Sequence, residues 1–159
     1  VGGAANIAIR TAASSDFAAL RAADALAASD PARARTLRRA IDTGECLVAC
    51  EAADVLGFAI VDHSFYDHGF LRLLVVRESA RRRGIGSALV RAAEQRCAST
   101  KLFTSTNASN APMQRLLERL GYARSGTIEN LDPGDPEWVY VRVLRSASAA
   151  ASAALPPRP

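Results

Sequence analysis

The chain is nearly without lysine: among its 20 basic residues only Lys101 is one, and the rest are arginine. No lysine follows Gly86, which excludes a P-loop of the GxxxxGK[ST] type. Histidine is almost as scarce, and His63 and His68 are too few to build a metal site, so none is expected. Cys46, Cys50 and Cys97 form an odd set without metal-ligand spacing, which argues against a zinc site and a disulfide framework. No apolar run approaches the roughly 20 residues that cross a bilayer. Val1–Ala5 carries no charged segment ahead of an apolar core, so no membrane partner and a cytoplasmic location are expected. The net charge of +4 calls for an anionic partner of some kind. Nucleic acid is not the expected one, because the arginines are dispersed apart from Arg81–Arg83 and no reader motif accompanies them.

What is present is enough for one domain with its own core: 159 residues, 49% hydrophobic and 23% charged. Residues 1–145 read as that domain, and 146–159, rich in Ser, Ala and Pro, as a flexible tail. Asn6–Thr11 reads as a strand. Ser14-Ser15-Asp16 caps a helix whose stripe of Phe17, Leu20, Ala23 and Leu26 runs to about Ala28, and Asp30-Pro31 opens another that ends near Thr43-Gly44. On that second helix Arg33, Arg35, Arg38 and Arg39 read as a solvated face. Cys46–Ala52, Val55–Phe65 and Phe70–Val76 alternate as three antiparallel strands. A helix to about Ser99 and a strand over Lys101–Thr106 complete a parallel crossover. Asn110 then caps a helix over Pro112–Leu120 that Gly121 stops, and strands over Tyr122–Asn130 and Glu137–Leu144 flank a Pro-Gly turn.

The turn Arg81-Arg82-Arg83-Gly84-Ile85-Gly86-Ser87 leaves a buried strand and opens a helix. The first amides of a helix have no partner within it and the dipole adds positive charge, so an anion is favoured there. Gly84 and Gly86 let a ligand approach the backbone, and the arginines draw it in. A dinucleotide fingerprint would need a third glycine where Leu89 stands. What is left is a [Q/R]xxGxG phosphate loop beginning at Arg81.

That loop, the order of elements and the run from Asn110 to Gly121-Tyr122 together resemble the GCN5-related N-acetyltransferase (GNAT) superfamily, over about residues 5–145. The resemblance implies an α/β (α+β) fold: a mixed, mostly antiparallel twisted sheet of about seven strands flanked by about four helices. It also implies acetyl-CoA as cosubstrate, an amine of a small molecule or peptide as acceptor, and a homodimer in keeping with many relatives. Backbone amides around Arg82, Arg83, Gly84, Ile85, Gly86 and Ser87 would hold the pyrophosphate, with Arg81 supporting its charge. Leu74, Val75 and Val76 would pair with the pantetheine arm like another strand. Asn110 would bond the pantetheine or cap its helix.

The same resemblance assigns the oxyanion contact to the amide of Val76. The tyrosine that usually supplies a proton, seven residues after the asparagine, is replaced by Leu117. Tyr122 or Tyr140 would substitute, or the thiolate would leave with the help of water, its acidity being close to that of free cysteine. A non-catalytic acyl-CoA-binding regulatory domain is the alternative that this departure favours. For the base, Asp62 and His63 point to opposite faces of a strand, so at most one addresses a cleft. Of Glu129, Asp132, Asp135 and Glu137 around the last hairpin, Glu129 is the first choice because it sits on a strand.

Overall fold

A computed structural model of the chain describes residues 7–144, so the tail expected over 146–159 lies outside the described residues. Seven strands form one sheet: β1 (Ile7–Thr11), β2 (Cys46–Glu51), β3 (Asp54–Phe65), β4 (His68–Val76), β5 (Lys101–Asn107), β6 (Ala123–Ile128) and β7 (Glu137–Val143). Their order in space is β1-β2-β3-β4-β5-β7-β6, and every pair is antiparallel except β4 with β5. The helices are α1 (Phe17–Ala23), α2 (Ala25–Ser29), α3 (Pro31–Asp42), α4 (Ile85–Arg96) and α5 (Ala111–Arg119). The mixed, mostly antiparallel sheet anticipated from the sequence is the sheet observed.

Strand alternation divides the core between two faces of the sheet. On one, Leu47, Leu56, Leu71 and Leu102 pack with Ile85, Leu89 and Val90 of α4 and Leu117 of α5. On the other, Cys46, Val48, Phe58 and Ile60 pack with Leu20 of α1 and Leu37 and Ile41 of α3. Cys46 is fully buried there, and loss of hydration pushes its thiol up to about 12, as expected of a cysteine that serves as a small apolar residue.

Local chemistry accounts for where the elements start and stop. Asp30 caps α3 by accepting from the Ala32 amide at 2.8 Å, with Pro31 at the first helical position. The single helix expected to Ala28 is two helices broken at Asp24, whose extended backbone ends α1 while its carboxylate caps α2 at the Leu26 amide and pairs with Arg33 at 2.8 Å. Stripe periodicity does not register such a break, because Leu20 and Ala27 stay buried on both sides of it. Helix α4 stops at Arg96 rather than near Ser99, since Cys97 turns extended.

Candidate active site

β4 and β5 run side by side only at the start. They pair at Gly69–Leu102, Phe70–Phe103 and Leu71–Thr104, and the pairing ends there, with the Thr104 hydroxyl donating to the Leu71 carbonyl at 2.9 Å. At that point β4 carries a bulge: Ile60 of β3 faces Leu73 and Val61 faces Leu71, so Arg72 is the extra residue. Beyond it, residues 73–76 pair with β3 alone, and residues 105–107 pair with β7 alone. The two strands part and leave a gap whose β4 side is an open strand edge.

Which groups line that edge follows from antiparallel alternation. The Arg77 amide donates to Leu56 of β3 at 2.9 Å. Residues 77, 75 and 73 therefore turn toward β3, and the amides and carbonyls of Leu74 and Val76 turn toward the gap. Leu74 and Val76 send their side chains to the α4 face, and Leu73 and Val75 send theirs to the other.

The strand runs directly into the loop that opens α4. Arg82 takes a left-handed backbone at φ 60, and Gly84 caps the helix at φ 81 with nothing within 4 Å of where its Cβ would stand. Among the described residues the amides of Arg82 through Ser87 find no protein acceptor; the first bonded amide of the helix is Ala88, on the Gly84 carbonyl. Open space above a fan of unsatisfied, dipole-aligned donors fits an anion. Ile85, 1% exposed, anchors the loop in the core, and Gly86 lies against Leu116, Leu74 and Val76.

Of the loop arginines, Arg83 is tied to Glu51 at 2.9 Å and Arg81 directs Nε to the Val76 carbonyl at 3.4 Å. Arg77, at the foot of the loop, was not singled out by sequence reasoning. Its Nε is buried without a partner among the described residues. The available signal was its place directly after the strand. Asn110 accepts from the Met113 amide at 3.3 Å, so it caps α5.

The expected acid and base residues separate into those the fold brings near the gap and those it does not. Tyr122 belongs to the second group. It is 4% exposed, donates to Glu94 at 3.1 Å, and that glutamate also holds Arg142 at 3.0 Å. Glu94 lies nine residues beyond Ile85, about 13 Å along α4 from the loop. Burial and then the glutamate push the phenol far above its ordinary value, and the structure places Tyr122, expected as a proton donor, in the core with its hydroxyl on Glu94. Tyr140 stands opposite Thr104, at the position where the strands part, and its hydroxyl makes no hydrogen bond among the described residues.

His63 lies on the stretch of β3 that faces the paired start of β4 and β5, ahead of the gap. Its Nε2 accepts from the Ala98 amide at 3.1 Å. Glu129 does not sit on a strand, because β6 ends at Ile128 and Asn130 turns left-handed at φ 62. Asp132 and Asp135 are engaged with Asn107 and Ser109 and hold the β5–α5 connection. Glu137 is the strand-borne acid of the group, half-buried opposite Asn107 at the rim of the gap.

Asp62 is 4% exposed beside the bulge and accepts from the Ser64 amide and hydroxyl and from Arg72 Nε. Burial raises its pKa, and the Ser64 and Arg72 bonds together outweigh burial, so the net shift is downward. A depressed carboxylate stabilises the fold above its unfolded value near 3.9, and that contribution is lost as pH falls through the lower folded value. Urea midpoints of wild type and Asp62→Asn should therefore differ most near neutrality and converge below about pH 4. A difference independent of pH would contradict the assignment.

A family model described as Acetyltransferase (GNAT) family matches residues 11–122. The crystal structure of a GNAT-family acetyltransferase from Bacillus cereus ATCC 10987 is 32% identical, covers 89% of this chain and 99% of its own, and superposes with a TM-score of 0.83. Ard1 from Thermoplasma volcanium (19% identity, 88% and 99% coverage, TM-score 0.76) shares the fold. So does the ribosomal-protein-S18-alanine N-acetyltransferase from Escherichia coli (20% identity, 89% and 96% coverage, TM-score 0.72). No curated protein matches the chain.

Proposed function

The chain belongs to the GNAT acetyltransferase family, and from that premise we propose that it transfers an acetyl group from acetyl-CoA to a primary amine of a small molecule or peptide, directly, in a ternary complex. The observation that carries this reading is the run of unpartnered amides from Arg82 to Ser87 beside an unpaired edge of β4. The cosubstrate brings an activated thioester, so no covalent intermediate on the protein is needed.

The protein's own groups supply the rest. Loop amides with Arg81 and Arg82 fix the pyrophosphate, and Arg83 holds the loop to β2 through Glu51. The gap-facing groups of Leu74 and Val76 pair with the pantetheine, and such an amide, Val76 included, receives the developing charge on the acyl oxygen. Glu137 removes a proton from the amine through water. Tyr140 returns one to the leaving sulfur, in place of the position that Leu117 occupies.

Thermal shift with acetyl-CoA, CoA and ATP tests the loop: stabilisation by both CoA compounds and not by ATP is expected. Thiol release over an amine panel tests the chemistry, and Tyr140→Phe should slow it at unchanged acetyl-CoA affinity. Leu117, fully buried at the position where the family resemblance implies a tyrosine, favours a second reading, an acyl-CoA-binding regulatory domain. Stabilisation by acetyl-CoA without turnover of any amine would support that reading against transfer.

A further inference from the structure

The arginines of α3 do not form the uniformly solvated face that their spacing implies. Arg33 pairs with Asp24, and Arg38 stacks on the Phe17 ring at 3.8 Å. Arg35 and Arg39, one turn apart, stay exposed on the side of α3 that neighbours Arg72. Together with Ala32, Thr36 and Arg72 they line a cavity of about 400 Å³. Arg72 is the bulge residue of β4, placed where β4 and β5 part and two residues, about 7 Å, from Leu74.

Charge in this cavity is unevenly balanced. Asp62 takes Arg72 Nε at 2.8 Å and Ser64 takes Nη2 at 3.2 Å, which leaves Nη1 without a partner among the described residues. Glu45 meets only Arg39 Nη2, at 3.4 Å, and Arg35 has no carboxylate within ion-pair distance among the described residues. Asp62 also fixes the direction of Arg72, because its own second oxygen is held by Ser64. A fixed guanidinium, a loosely held one and a free one around one cavity constitute an anion cradle.

We infer that this cradle binds the anionic group of the acceptor, so that the amine to be acetylated belongs to a molecule bearing a carboxylate or phosphate a few bonds away. The inference rests on the acetyl-transfer reading, since it places the cradle beside the thioester end of the gap. Arg35 and Arg39 supply attraction and Arg72 supplies orientation, holding the acceptor by its charge while its amine points at the acyl carbon.

The experiment uses protein saturated with CoA, so that the pyrophosphate loop is filled. Glutarate and inorganic phosphate are titrated in turn by calorimetry. One of them should bind, which tells carboxylate from phosphate, and Arg35→Gln should weaken it at least tenfold while Arg115→Gln on α5 leaves it unchanged. Matched acceptors, glycine against glycinamide and phosphoethanolamine against ethanolamine, should be acetylated faster in the anionic form, and Arg35→Gln should remove that preference through KM rather than kcat. Binding indifferent to Arg35→Gln, no anion binding to the CoA-loaded protein, or preference for the neutral amines would each overturn the cradle. Absence of stabilisation by acetyl-CoA would instead overturn the acetyl-transfer reading beneath it.

Discussion

Gly84→Asp should abolish stabilisation by acetyl-CoA and lower kcat/KM for it by about 100-fold or more, while the free protein still folds. Two independent terms lead there. Gly84 holds φ 81, a conformation that costs an ordinary residue roughly 1–2 kcal/mol. That loss is modest for the whole domain and would lower its melting temperature by several degrees. The added carboxylate, however, stands in the open space above the Arg82–Ser87 amides and offers its own negative charge to them. It takes the place of a ligand phosphate and repels one. Charge-assisted hydrogen bonds are each worth about 1.5–3 kcal/mol, and the loss of even one is on the order of a tenfold to hundredfold change in affinity. Gly84→Ala separates the terms: it carries the same strain without the charge, so it should bind acetyl-CoA more weakly than wild type but far better than Gly84→Asp. Equal affinity in all three would show that the ligand is held elsewhere.

Gly57→Ala should have the larger effect on the fold itself. Gly57 lies near the start of β3, opposite Val76 at the end of β4, and a Cβ there would run into the backbone carbonyl of Val75, with the Val76 Cα only 3.1 Å away. Backbone cannot rotate aside as a side-chain end can, so the last residues of β4 must shift. Overpacking of this kind costs about 1–3 kcal/mol. The shift also displaces the gap-facing groups of Leu74 and Val76, on which the acyl group depends in the proposed reaction, so turnover should fall more than stability alone explains. Denaturant midpoints and thiol release at a temperature where the variant is folded separate the two losses. Full activity in a folded Gly57→Ala variant would show that this edge does not position the acyl group.

The sequence was most informative where one residue type answers one local requirement. Asp30-Pro31, Asn110 and Gly44 announced their helix ends, and the alternation from Cys46 to Val76 announced a hairpin stack, because capping and pleating act over a few residues. The turn that opens α4 at Gly84 was legible for the same reason. Asp24 was not, since the apolar stripe runs on through Leu20 and Ala27 across the break. Tyr122 and His63 have suitable chemistry, but where they point is set by Glu94 and Ala98, contacts that spacing does not encode. Glu129 was lost to a strand that ended earlier than its pattern implied. Arg72 looked like an ordinary strand residue, and only the bulge and the partner strand reveal that it stands at the point where the sheet opens.

Amide resonances offer the most direct test of the anion loop. On titration of isotope-labelled protein with CoA, the largest shifts are expected at the amides of Arg82 through Ser87, with those of Leu74 and Val76 following, and pantetheine lacking the diphosphate should leave the loop amides almost unmoved. Loop amides that stay still while CoA binds, or that respond equally to pantetheine, would contradict the account.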